Sequence, residues 1–312
     1  MADHYAFLVS ESRRIEPEVY RIKYPSIQYP MLVPVDTTAS EWASGITYYS
    51  QDSFGEAQYL ANRATDIPLA DIRRSMHEVT VEAATIGYDY SVQELELAMM
   101  LRQPLTTDKA NAARLAAEKM IDRIVLYGES EHGWDGLLNC SGVHNLDLED
   151  TERWKNATTT NATADKIIAD VNDLLTGVWS DSKTVETADT LAMPTTIWSF
   201  LANTPRSATS DITILNFIKE NNVYTALSGR PLMVIAIRGL ENVTGVTGQR
   251  IMAYRRDPQA LKLHMPMSFR FFAPQLQIFK YIVPGMFRLG GLEVRLPGSM
   301  RYLSNVDMKP SN

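Results

Sequence analysis

Two rhythms of apolar residues run along this chain, one of period near 3.6 and one of period two, and they divide it into regions of different texture. The longest helical rhythm follows Pro104: Ala110, Ala113, Ala117, Met120, Ile124 and Tyr127 recur at steps of three and four. Lys109, Arg114, Glu118, Asp122 and Arg123 mostly fall off that stripe. The spacing predicts an amphipathic helix from about Thr106 to Tyr127, capped by Thr106 or Thr107 and ended by a left-handed turn at Gly128. At 1.5 Å per residue it spans roughly 30 Å, and its alanines let a neighbouring layer approach closely. The polar, glycine-containing run EHGWDG and then GLLNCSGV follow it.

Ahead of this helix the rhythm changes twice. Residues 1–45 carry Pro17, Pro25, Pro30 and Pro34, which suppress helix. Tyr20, Ile22, Tyr24, Ile27 and Tyr29 lie among them, too many apolar residues for a tail meant only for water, so an extended arm lying on another surface is expected. Residues 46 to about 90 read as a long hairpin: ITYYSQDSFGEAQYL leads out, NRATDIPLADIRR covers the far end and HEVTVEAATIGYDY returns. Two strands bury little alone, so this excursion is expected to lean on a neighbouring subunit. Ser91 and Glu94 then form an S-x-x-E capping box opening the helix VQELELAMMLR, which Pro104 stops.

Beyond residue 144 the pattern is mixed. TADKIIADVNDLL and DITILNFIKENN read as amphipathic helices, TLAMPTTIWSFLA as a strand followed by a helix, and PLMVIAIRGL as a buried strand. From Leu261 to Phe271 apolar and other residues alternate, with Pro266 marking an edge or a bulge; LQIFKYIV and FRLGGLEVRLP follow. An antiparallel sheet closing the chain is expected, and the fold class is α+β.

Composition is that of an ordinary folded chain, 45% hydrophobic and 21% charged over 312 residues. No apolar run is long enough for a membrane span, and the opening residues lack the order of a signal peptide, so cytosolic synthesis and no membrane contact are expected. Charge is uneven. Residues 1–150 hold 12 Lys and Arg against 24 Asp and Glu, and the remainder 18 against 13, so net charges of -12 and +5 are available to pair two layers within one fold or to favour defined contacts between copies. No basic cluster interleaved with aromatics marks a sequence-reading nucleic-acid interface.

The search for chemistry assigns no catalytic, cofactor or metal residue. Phosphate loops, dinucleotide fingerprints, zinc-protease and nucleophile-elbow motifs are absent from the sequence. His132 and Asp135 are the best-placed pair, flanked by Glu129 and Glu131, but without a third ligand they read as a polar turn. Asp147, Glu149 and Asp150 lack the glycine of a calcium loop and read as solvated. Cys140, the only cysteine, reads as a buried thiol, and the sequons at Asn156, Asn161 and Asn242 as chance.

The order of these pieces resembles the major capsid proteins of tailed bacteriophages with the Hong Kong 97 fold, in the branch long catalogued as a domain of unknown function. The likeness is carried by SFGEAQYLANRATDIPLADI, ATIGYDYSVQELELA, KANAARLAAEKMIDRIVLYG and DGLLNCSGV. It implies an N-terminal arm over 1–45, an extended E-loop over 46–80, a peripheral domain with its spine helix over 81–143, a mainly axial domain over 144–255, and closing peripheral strands over 256–312. It also implies homo-pentamers and homo-hexamers tiling an icosahedral virion shell, with non-specifically held double-stranded DNA and a portal protein, and with scaffolding or decoration proteins where these are used. No enzyme activity and no cofactor are implied.

Two departures matter. The family's namesake cross-links through an E-loop lysine, whereas residues 46–80 contain Arg63, Arg73 and Arg74 and no lysine, so that cross-link is not expected. Little precedes the arm, so a separate scaffold, or none, is expected. An encapsulin-type nanocompartment shell and, more remotely, a soluble α+β enzyme are the alternatives.

Overall fold

The computed structural model describes residues 25–59, 68–101, 105–149, 154, 163–207, 209–246 and 248–306. Expectations for most of the arm, the hairpin tip with Arg63, Pro104, Asp150 and the sequons at Asn156 and Asn161 lie outside the described residues.

At the centre is a five-stranded sheet in the order Met233–Ala236, Thr190–Met193, Gln249–Tyr254, Met300–Val306, His144–Asp147. Its outer pairs are parallel and its two inner pairs antiparallel. Because side chains alternate along a strand, this sheet divides the interior into two cores. Met252, Tyr254, Met300 and Tyr302 point into one, while Ile251, Ala253, Leu303 and Val306 point into the other. Thr190–Met193 is buried on both faces, which is why TLAM shows no alternation, whereas MVIA, expected to be a buried strand, lies at the sheet edge with Met233 exposed and Ile235 buried.

The second core is closed by helices Ala164–Asp181, Thr195–Asn203 and Ile214–Glu220. Ile167, Val171, Leu174 and Val178 form the inner stripe of the first, as its spacing predicts, and Thr163 caps its start. Trp154 is fully buried beside it, and its indole Nε1 donates to Asp170 Oδ2 at 2.7 Å.

The first core is covered by the long helix Leu105–Tyr127. It begins before Thr106, so neither threonine caps it. Ala113, Ala117 and Ile124 are buried as expected, but Tyr127 is 43% exposed and Asp122, placed off the stripe, is 3% exposed. Burial goes nearly all round in the last two turns because the arm crosses one side and the exit folds back on the other. Gly128 adopts φ 73° there, and the amides of Leu137 and Leu138 donate to Val125 and Leu126 oxygens at 2.8 and 3.0 Å. The returning chain thus satisfies carbonyls the helix end leaves free. Gly136 is required because a Cβ would overlap the backbone of Leu126, Tyr127 and Gly128.

The described part of the arm is not wholly extended. Tyr29–Leu32 forms one helical turn with Pro30 near its start, where a missing N–H leaves no bond unmade. Val35–Asp36 then pairs in parallel with Leu261–His264.

The hairpin is confirmed as Gly45–Phe54 against Asp71–Thr80, in unbroken register from Gly45 opposite Thr80 to Phe54 opposite Asp71. Its return differs from expectation. Pairing in the hairpin starts at Asp71 and ends at Thr80, after which Val81 is buried and its amide donates to Ser44 O at 3.1 Å. Glu82–Thr85 and Tyr88–Ser91 then join two other sheets, against Gly285–Leu289 and Lys280–Val283. Ser91 and Glu94 make the reciprocal capping bonds at 3.1 and 3.0 Å, opening helix Val92–Leu101.

The closing strands also depart from the single antiparallel sheet expected. Leu261–His264 and Met267–Phe271 belong to separate sheets, divided at buried Pro266, and Met300–Val306 enters the central sheet. Pro266 lies in the bend that ends one ladder and leads into Met267–Phe271, an edge strand whose register shifts between Met267 and Arg270, in keeping with the edge or bulge expected.

Candidate assembly surface

The ten-residue strands of the hairpin, at about 3.4 Å per residue, project roughly 34 Å. Almost every side chain on them is exposed, the apolar ones included: Tyr49 67%, Phe54 50%, Ile72 51% and Met76 65%. A second apolar group stands on helix Val92–Leu101 and the nearby turn, with Met100 81%, Ile278 86% and Phe279 78% exposed. The Val92 amide bonds Phe279 O, so helix start and turn are physically joined. Surfaces of this kind mark protein contacts.

What holds these elements is ionic and buried. The arm is fastened to the long helix by Asp122. Its Oδ1 accepts from the amides of Gln28 and Tyr29, each at 2.8 Å, and its Oδ2 accepts from Arg238 Nη2 at 2.7 Å. One turn earlier on the helix, Glu118 accepts from the Tyr29 hydroxyl at 2.8 Å; burial and that bond push the phenol's pKa above its ordinary value.

The hairpin base is fastened twice. Buried Arg288 donates from Nη1 to Glu41 O at 3.0 Å and from Nη2 to Val81 O at 3.4 Å, gripping the chain on both sides of the hairpin. Beside it lies a chain of charges: Lys262 Nζ donates to Asp36 Oδ2 at 2.5 Å, and His264 Nδ1 lies 3.7 Å from the same oxygen. His264 Nε2 meets Glu293, whose other oxygen accepts from Arg295 Nε at 2.5 Å; the Arg295 guanidinium lies 5.0 Å over the Tyr48 ring in the hairpin. Burial raises the Asp36 and Glu293 carboxyls. Bonds from Lys262 and Thr38, and from His264 and Arg295, outweigh it and hold both below the usual carboxylate range.

The sequence candidates are placed as follows. His132 packs against Trp134 with ring centres 4.9 Å apart and planes tilted by 37°, while Asp135 accepts from the Ser141 amide at 2.8 Å and from its hydroxyl. Each is engaged elsewhere, and they form no dyad. Cys140 is buried, and burial together with nearby Asp135 pushes its thiol up to about 12. Asp147 and Glu149 are exposed. Among the described residues no group of three or more His, Cys, Asp or Glu is placed to hold a metal ion, and no helix is long and apolar enough to cross a membrane. Sequence reasoning missed Asp122, Asp36, Glu293 and Arg288, whose partners lie far away along the chain.

A structural subunit with an exposed, apolar-bearing hairpin and a strapped arm matches one family model, that of the major capsid protein, over residues 55–306. The chain belongs to the major capsid protein family. Its mixed helix-and-sheet fold is also that of solved phage capsids. The capsid of Myoviridae phage XM1 is similar with a TM-score of 0.78 at 19% identity, over 95% of this chain and 98% of that one. Mycobacterium phage Bobi is similar with a TM-score of 0.60 at 10% identity, over 100% and 99%. The capsid of an empty GTA particle is similar with a TM-score of 0.60 at 11% identity, over 98% of both chains. No curated protein sequence matches. The family match supports the capsid expectation over the encapsulin alternative.

Proposed function

We propose that this major capsid protein tiles as pentamers and hexamers into an icosahedral shell around the double-stranded DNA of a tailed phage. In this reading residues 1–45 are the arm, 46–80 the E-loop, 81–143 and 256–312 the peripheral domain, and 144–255 mainly the axial domain. The single observation carrying it is the hairpin: a two-stranded projection with exposed Tyr49, Ile72 and Met76 gains its apolar burial from a neighbouring copy. Spreading contacts over many subunits lets a shell resist internal pressure without a catalytic centre. DNA is held through backbone charge rather than base readout, a portal occupies one vertex, and scaffolding or decoration proteins are further partners. Assembly takes place in the host cytoplasm and the product is the virion.

The test is the native mass and appearance of the purified protein. Closed megadalton particles in electron microscopy are expected, with nuclease-protected DNA in those recovered from virions. A compact species of tens to hundreds of kilodaltons under all assembly conditions, or shells filled with an enzyme cargo, would overturn the reading.

A further inference from the structure

We infer that the arm and the hairpin are mechanically coupled through the charged chain Asp36, Lys262, His264, Glu293, Arg295 and Tyr48, so that loosening either end loosens the other.

Four features carry this. First, the chain is continuous: Asp36 on the arm strand meets Lys262 at 2.5 Å and His264 at 3.7 Å, His264 meets Glu293, Glu293 meets Arg295 at 2.5 Å, and Arg295 covers Tyr48 at 5.0 Å. Second, its middle is buried. His264 and Glu293 are 1% and 3% exposed, so a lost partner is costly to replace and a change at one is felt at the next. Third, the arm strand pairs with Leu261–His264 and that strand with Leu292–Val294, whereas the hairpin pairs with neither, so the Arg295–Tyr48 contact is the one step of this chain with no backbone ladder beneath it. Fourth, Gly290 packs between them. A Cβ there would lie 3.0 Å from His264 Cβ and 3.3 Å from Val81 Cγ2, so the histidine and the hairpin's exit share one tight contact. Interiors packed this closely transmit displacement.

The coupling belongs to the single subunit, so its failure is distinguishable from failure of shell formation. Hydrogen exchange of the full chain, measured before assembly, provides the test. Asp36→Asn keeps the side-chain volume but removes the charge facing Lys262 and His264. Exchange at residues 45–50 is expected to rise about tenfold, the change produced by losing one charge-assisted bond. Coupling is reciprocal, so Arg295→Met, cut at the hairpin end, is expected to speed exchange at residues 33–37 by a similar factor. The double variant should show less than the product of the two effects. Glu129→Gln, half-buried and 3.9 Å from exposed Arg123, serves as control and should leave both segments unchanged.

If Asp36→Asn speeds exchange only beside the substitution, or the two effects simply multiply, arm and hairpin are independent and the inference is overturned. Should Asp36→Asn not fold, Arg295→Met alone decides, through the presence or absence of faster exchange at residues 33–37.

Discussion

Replacing Asp122 tests whether the arm is strapped to the long helix by one buried carboxylate. Asp122 is 3% exposed and accepts three hydrogen bonds, two of them from consecutive arm amides. The Arg238 partner is 38% exposed on its side chain, so that pair is screened and contributes no more than a surface ion pair, about 0.5 kcal/mol. The amides matter more. Tyr29 N is buried and would be left without a partner in Asp122→Ala, at about 1–3 kcal/mol, while the Gln28 amide is half-buried and regains part of its loss from water. The expected destabilisation is therefore about 3 kcal/mol for Asp122→Ala. Asp122→Asn, which keeps an acceptor for both amides but loses the charge, should cost about half that. Urea unfolding of the unassembled subunit measures the total, with an unchanged slope indicating unchanged denatured-state compactness. Hydrogen exchange at Gln28 and Tyr29 localises it. If Asp122→Ala unfolds within about 0.5 kcal/mol of the parent while both amides stay slow, the strap lies elsewhere and the reasoning fails.

Further outcomes follow from other parts of the molecule. Gly136→Ala should abolish or severely reduce folding, because its Cβ overlaps backbone that cannot move, whereas Gly133→Ala meets nothing within 4 Å and should cost only about 1 kcal/mol for its left-handed φ of 69°; comparative thermal melts read the difference. Acid should weaken the subunit through Asp36 and Glu293. Their folded pKa values are depressed, so the stability they contribute is fully present above the unfolded carboxylate range near about 4 and is lost as pH falls through and below it; a urea midpoint that does not move between neutral pH and pH 3 would contradict this. Cys140, with its thiol pushed up to about 12, should resist a thiol-specific alkylating reagent at neutral pH until the chain is unfolded, and equal labelling rates with and without denaturant would show it to be accessible.

Helices and the hairpin were legible in the sequence because each records its burial locally. Ile167, Val171, Leu174 and Val178 announce one face of one helix, and Ser91 with Glu94 announces where another begins. The runs ITYYSQDSF and HEVTV predicted a hairpin, though not that its return would leave at Val81 for two other sheets. That exit depends on Arg288, more than two hundred positions away, and no local rhythm encodes it. The alternation from Leu261 to Phe271 was misleading in the same way, since two strands in different sheets share one period and only buried Pro266 separates them. Charged residues were the least legible. Asp122 looks solvent-facing by helical phase and is buried because the arm covers it; Asp36 and Lys262 meet across 226 positions. The surface suited to partners was recognisable only as an excess of apolar residues in a segment unable to bury them.

The strand Met300–Val306 lies inside the five-stranded sheet, between Gln249–Tyr254 and His144–Asp147, and feeds both cores. That placement orders events during synthesis. Until residue 306 has been made, His144–Asp147 has no partner on its inner edge, and Gln249–Tyr254 is bare on one side. Until then the central sheet, the platform against which the long helix and the arm are held, is incomplete. Pairing over such separations is slow and comes late. The subunit therefore becomes competent to meet its copies only after this strand has inserted, which delays association of half-made chains in a crowded assembly site.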